Sequence, residues 1–226
     1  MYQYALFDLD GTLTDSKEGI LKSLVYAFEK LGDPVPDHDT LLRFIGPPME
    51  VSFPLYCGYD AKRTRLAVDT FRERYAPIGV YENTPAEGII EMFQRLTEKG
   101  IVLAVASSKP HGMCVKVCDR FGFTPYMRAI VGSPLTEDWD KARVIRETMS
   151  RLGIGEAEKP LTVMVGDRKY DAEGAIKCGV DCIGVEFFGY AEPGELKAAG
   201  AVRVARTVSE LEAAILEGPA APGESA

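Results

Sequence analysis

The chain has 226 residues, of which 46% are hydrophobic, so it can bury a sizeable core in one large domain or in a core with a small insertion. Its 34 acidic residues outnumber 26 basic ones, and the net charge of -8 disfavours a nucleic-acid polymer as partner, because no broad basic field exists to hold one. Five cysteines fit reduced thiols better than a disulfide framework, no apolar run approaches the roughly 18 residues of a membrane span, and the first residues show no basic leader; a cytoplasmic protein with no membrane partner is expected.

The apolar run Tyr4-Ala5-Leu6-Phe7 predicts a first strand, and it delivers Asp8-Leu9-Asp10-Gly11-Thr12-Leu13-Thr14-Asp15-Ser16 to its carboxyl end. Residues two apart on a strand share a face, so Asp8 and Asp10 can address one reacting group. A capped polar turn would also use Gly11, Thr12, Asp15 and Ser16, but it would not explain the acids that recur downstream.

Residues 17–80 lack a convincing strand, while Ile20, Leu24, Phe28 and Leu31, then Leu41, Leu42 and Ile45, then Leu66, Val68, Phe71 and Tyr75 repeat at helical intervals. Nearly a hundred residues separate the first strand from the second, far more than one crossover helix needs, so a small helical cap is expected at 17–80 inside a core of 1–16 and 81–217. Gly46-Pro47-Pro48 breaks this cap, and Pro77-Ile78-Gly79 with Asn83-Thr84-Pro85 marks the return to the core. Arg43, Lys62, Arg63, Arg72 and Arg74 are cationic cap positions near an entrance, although such arginines are commonly just solvated.

Further strands are predicted at Ile101–Ala106, Arg128–Val131, Leu161–Val165 and Asp181–Val185, separated by helical patterns. Strands alternating with helices give an α/β fold with a doubly wound parallel sheet, which binds ligands beyond the carboxyl ends of its strands. Ser107-Ser108-Lys109-Pro110 follows the first of these strands as a turn whose hydroxyls could hold a phosphate oxygen. Lys141 opens a helix after Glu137, Asp138, Trp139 and Asp140, where the helix dipole disfavours a cation; neutralising a bound phosphoryl group would repay that placement, with Lys109 as the secondary candidate. Thr162 to Asp171 carries a β-branched strand into Gly166 and Asp167, with Asp171 one helical turn on. Asp8, Asp10, Asp167 and Asp171 together would make a hard, oxygen-rich site suited to Mg2+. Cys114 with Cys118 and Cys178 with Cys182 are read as core packing or surface thiols rather than metal ligands, His38 and His111 as surface, and 218–226 as a frayed tail.

Taken in order, these segments resemble the DxDGTxxD signature and downstream motifs of haloacid dehalogenase superfamily phosphatases, over nearly the whole chain. Phe44-Ile45-Gly46-Pro47-Pro48-Met49, Ser107-Ser108-Lys109-Pro110 and Gly166-Asp167-Arg168-Lys169-Tyr170-Asp171 look like its phosphoglycolate phosphatase branch, and at least as much like bacterial 5'-nucleotidase-like relatives. The resemblance implies Asp8 as nucleophile and Asp10 as general acid and base. It implies Mg2+ on Asp8, the Asp10 backbone carbonyl and Asp167, with Asp171 supporting the metal. Gly11, Thr12, Ser107, Ser108 and Lys141 would receive the phosphate, and the cap would close to exclude water. The expected substrate is a small phosphorylated metabolite, the expected assembly a monomer or weak homodimer. A sugar-phosphate phosphatase or phosphomutase would keep the same core. A signalling receiver is about half this length and capless, a dehalogenase normally lacks the second acid, a dinucleotide oxidoreductase needs an absent GxGxxG turn, and a silent metabolite-binding protein would not need every catalytic residue type.

Overall fold

The structure is a computed structural model that describes residues 1–134 and 139–219. Its strands are β1 (Tyr4–Phe7), β2 (Thr14–Asp15), β3 (Thr84–Pro85), β4 (Val102–Pro110), β5 (Met127–Ser133), β6 (Thr162–Gly166), β7 (Asp181–Val185) and β8 (Arg203–Ala205). Its helices are α1 (Lys17–Leu31), α2 (His38–Leu42), α3 (Met49–Cys57), α4 (Ala61–Tyr75), α5 (Ile89–Glu98), α6 (His111–Arg120), α7 (Lys141–Leu152), α8 (Lys169–Cys178), α9 (Glu195–Ala198) and α10 (Val208–Glu217). Two compact units result, one made of Met1–Leu13 with Pro85 onward, the other of Thr14–Thr84.

The first unit is built on a six-stranded sheet in the order β5-β4-β1-β6-β7-β8. Every recorded pairing in it is parallel. Parallel strands covered on both faces read as unbroken apolar runs, and here Ala5 to Phe7, Ala104 to Ala106 and Val163 to Val165 are all fully buried. On one face Leu6, Ala104, Val131 and Met164 pack with Val144, Ile145 and Met149 of α7 and with Ala172 and Ala175 of α8. Phe93 of α5 meets Phe7 edge-on at 5.6 Å and Phe123 at 5.5 Å. The helix α5 buries Ile89, Met92, Phe93 and Leu96, a 3–4 spacing worth roughly 1.5–3 kcal/mol per side chain.

The register sets where the chemistry falls. Phe7 pairs with Val105 of β4 on one side and Val165 of β6 on the other, and the Asp8 amide donates to the Val165 carbonyl at 2.8 Å. Asp8 therefore leaves the sheet level with Gly166, one residue before Asp167, and the loops of three central strands open at one edge.

In the second unit, α1 buries Ile20, Leu24 and Phe28 and ends at Gly32, whose φ of 70° provides the left-handed stop. Phe44 and Phe53 are fully buried and pack edge-on at 5.2 Å, with Phe28 at 6.4 and 5.8 Å from them. Asp60 caps α4 by accepting from the Arg63 amide at 2.7 Å. Three of the five cationic cap positions are committed to ion pairs: Arg63 with Asp33, Arg72 with Glu50, and Arg74 with Glu82. Arg43 and Lys62 are exposed.

The structure corrects the sequence reading at several points. The strand expected at Ile101–Ala106 runs on to Pro110, so Ser107, Ser108 and Lys109 are strand residues rather than a turn after one. Parallel pairing of Ser107 with Gly132 and of Pro110 with Ser133 extends it, across a register shift that leaves Ser108 and Lys109 between the two pairs. Helix α3 follows the Gly46-Pro47-Pro48 break and contains Pro54, and strand β8 was not anticipated. Glu137 and Asp138, named before Lys141, lie outside the described residues, as do residues 220–226 of the expected tail. All five cysteines are free and Cys114, Cys118, Cys178 and Cys182 are buried, while His38 and His111 are exposed. No helix among the described residues is long and apolar enough to cross a membrane.

Candidate active site

Asp8 follows β1, Asp167 follows β6, and Asp171 sits in the first turn of α8, where its Oδ2 accepts from the Arg168 amide at 3.0 Å. One carboxylate oxygen from each of these acids lies within 4.8 Å of the others. Thr12 Oγ1 donates to Asp167 Oδ1 at 2.9 Å, fixing that carboxylate from the turn. Gly11 (φ 83°) must be glycine on two counts, since a Cβ there would lie 2.2 Å from Asp167 Oδ2 and 2.5 Å from the Tyr190 ring. Gly166 is equally constrained, a Cβ meeting the Asp171 side chain at 2.1 Å.

Lys141 is the first residue of α7, whose cap Asp140 accepts from the Arg143 amide at 2.8 Å. Its ammonium lies 2.9 Å from Asp8 Oδ1 and 2.7 Å from Asp171 Oδ1, and the three side chains are buried or nearly so. Burial would pull the lysine pKa down, but Asp171 and Asp8 together outweigh it and hold it above the ordinary lysine value. The same burial pushes the Asp171 carboxyl up to about 6, with Lys141 pulling it down and Asp8 adding to the rise. Asp167 is raised well above the usual carboxylate range, by burial first and then by Asp171 and Asp8. One ammonium leaves this acid cluster short of positive charge.

Lys109, the secondary candidate for the Lys141 role, has a different partner. Its ammonium reaches Asp10 Oδ2 at 2.6 Å, with the lysine side chain 4% exposed. Each lysine thus has its own acid on the strand-1 loop. Ser107 is buried and its Oγ accepts from the Lys109 amide at 3.3 Å; neither it nor the half-buried Ser108 is hydrogen-bonded to the carboxylates. Trp139, partly buried against the α7 face of the core, carries the Arg143 guanidinium over its ring at 4.7 Å. Sequence reasoning missed the Lys109–Asp10 pair and Tyr190 against Gly11. The only signal for the first was a lysine in an otherwise apolar and hydroxylated strand end.

A parallel sheet that gathers acids and two buried lysines at its carboxyl edge defines a hydrolase built for an anionic substrate. A family model described as haloacid dehalogenase-like hydrolase matches residues 5–185. The chain belongs to that family, and it is an enzyme of phosphatase type. A 5'-nucleotidase of Pseudomonas aeruginosa is 41% identical over 198 residues, covering 87% of this chain and 88% of that one. The tyrosine-protein kinase PtkA of Mycobacterium tuberculosis is 32% identical, covering 94% of this chain and 72% of its own length. Among solved structures, a predicted phosphatase from Clostridium acetobutylicum superposes with a TM-score of 0.89 at 40% identity, covering 96% of this chain and 99% of that one.

The family generally uses Mg2+, and the residues fit it. Asp167 Oδ2 is buried with no hydrogen-bond donor, and Asp8 Oδ1 has the Lys141 ammonium near it but no donor aligned on it. Buried, unpaired carboxylate oxygens are costly unless a cation meets them, and an all-oxygen set suits a hard ion. Both oxygens of Asp171 are already engaged, by the Arg168 amide and Lys141, which suits a supporting place better than a ligating one.

Proposed function

We propose that this protein is a Mg2+-dependent phosphomonoesterase that hydrolyses a small phosphorylated metabolite through a phosphorylated Asp8. The observation that carries the reading is Asp8 itself: a strand-end carboxylate held between the Lys141 ammonium and two further acids, with no hydrogen bond aligned on Oδ1. Asp8, Asp167 and the backbone carbonyl of Asp10 would hold the ion, which when bound screens the repulsion between carboxylate and phosphate.

Asp8 attacks phosphorus in line while the P–O bond to the leaving group breaks. Asp10 gives its proton to the departing oxygen, then takes one from the water that cleaves the aspartyl-phosphate. Lys141 neutralises the phosphoryl charge, and Ser107, Ser108 and the backbone of Gly11 and Thr12 receive its remaining oxygens. Thr12 and Asp171 keep Asp167 and Lys141 in place.

The 41% relative favours a nucleoside 5'-monophosphate as substrate, with the nucleoside as leaving group, over phosphoglycolate, the other substrate the sequence motifs suggested. The test is a Mg2+-supplemented screen of nucleoside monophosphates, phosphoglycolate, sugar phosphates and pyrophosphate, beside acid-quench trapping of phosphoenzyme. Asp8→Asn should stay folded with no turnover and no trapped phosphate. Substantial turnover by Asp8→Asn would overturn covalent catalysis. Preference for phosphoglycolate would overturn the nucleotide assignment alone.

A further inference from the structure

The Lys109–Asp10 pair carries a role beyond charge balance. Asp10 has two carboxylate oxygens in unlike surroundings: Oδ2 is gripped by the Lys109 ammonium at 2.6 Å, while Oδ1 is buried and has no hydrogen-bond partner. Lys109 can grip in this way because β4 continues through it. Its amide donates to Ser107 Oγ, its carbonyl accepts from the Cys114 thiol at 3.4 Å, and it is 8% exposed, so the residue is fixed at both backbone and ammonium. A carboxylate on a loop turns freely about its side-chain bonds; one held at a single oxygen by a buried cation does not.

We infer that Lys109 is a positioning residue that locks Asp10 through Oδ2, so that Oδ1 is the atom that passes the proton in both half-reactions. In the first, the Asp8 oxygen–phosphorus bond forms, the bond from phosphorus to the leaving oxygen breaks, and the Oδ1 proton goes to that oxygen; the charge left on Asp10 is met by Lys109. In the second, Oδ1 takes a proton from water as the water oxygen bonds to phosphorus and Asp8 is released as carboxylate. This rests on the proton role given to Asp10 above, and it is independent of which metabolite is the substrate.

A leaving-group comparison tests it. A nitrophenolate departs without a proton, whereas an alkyl oxygen needs one. Lys109→Met and Lys109→Gln, with folding checked by circular dichroism, are assayed for kcat/KM on p-nitrophenyl phosphate and on whichever alkyl monoester the wild type turns over. The expected result is a loss of roughly 10- to 100-fold on the alkyl ester, part of the usual worth of general acid help, with p-nitrophenyl phosphate within about threefold of wild type and partial recovery in Lys109→Arg. Equal losses on both substrates would place Lys109 on the phosphoryl group instead and overturn the inference, as would no loss on either. Asp10→Asn in the same assay separates the two layers. If it shows no leaving-group bias, the proton role of Asp10 falls; if it shows the bias and the Lys109 variants do not, only Lys109 falls.

Discussion

Replacing Lys141 by methionine keeps most of the side-chain volume and removes the ammonium that pairs with Asp8 and Asp171. Both ion pairs are short, 2.9 and 2.7 Å, and the lysine and Asp171 side chains are 5% and 2% exposed. Removing one partner of a buried pair costs about 3–5 kcal/mol, because the other is left charged without compensation. For a chain of this size that is a fall in melting temperature of roughly 6–20 °C. The sign of its pH dependence follows from Asp171 and Asp167. Their folded-state pKa values lie above the unfolded one, and losing the cation raises that of Asp171 further, so the folded variant binds more protons than the unfolded chain. The gap to wild type should then narrow as pH falls toward about 6, where Asp171 takes up its proton in the wild type as well. Urea denaturation of wild type and Lys141→Met at pH 7.5 and at pH 5.5, without metal, measures both numbers. A loss under about 1 kcal/mol at pH 7.5, or a gap that widens on acidification, would refute the reasoning.

Gly11→Ala should lower kcat/KM by at least about 10-fold and weaken Mg2+ binding, read by titration calorimetry, because the new methyl can only be accommodated by displacing the Asp167 carboxylate or the Tyr190 ring. Phe44→Ala should destabilise the Thr14–Thr84 unit by about 3–5 kcal/mol, since it empties the centre of a cluster with Phe28, Phe53 and Tyr56; protease susceptibility mapped along the chain would show cleavage confined to that unit. Acid should loosen the same unit: the Arg63 guanidinium and the Tyr59 hydroxyl hold Asp33 below the ordinary carboxylate value, and Arg74 does the same for Glu82. Depressed folded pKa values mean stability present above the unfolded value near 4 and lost as pH falls through the folded one, and Asp33→Asn should flatten that loss in a circular-dichroism titration.

Much of this site was legible because its acids sit directly at strand ends. Tyr4 to Phe7 and Thr162 to Val165 are apolar runs that could be placed as buried parallel strands, so Asp8 and Asp167 followed by position. Ser107 to Pro110 was misread because hydroxyls and a proline signal a turn, whereas pairing to β5 carries the strand through them. The partners of the lysines were not legible: Lys109 and Asp10 are 99 positions apart, and only the assembled sheet decides which acid each ammonium meets. Helix α3 was hidden by Pro54 and by the Gly46-Pro47-Pro48 break, and β8 is three residues long, below what alternation can reveal.

The central placement of β1 has a consequence for biosynthesis. Tyr4 pairs with Val102 and with Thr162, so this strand waits for neighbours translated about a hundred and then a further sixty residues later. Residues 14–84 hold their own contacts and can condense on the ribosome in the meantime, as N-terminal units generally do. The chemical centre has no such local route: its contacts join residues 99 and 155 positions apart, which places it late in folding. Nascent chains released before Asp167 has emerged therefore lack part of the acid cluster, even where residues 14–84 already hold their own contacts.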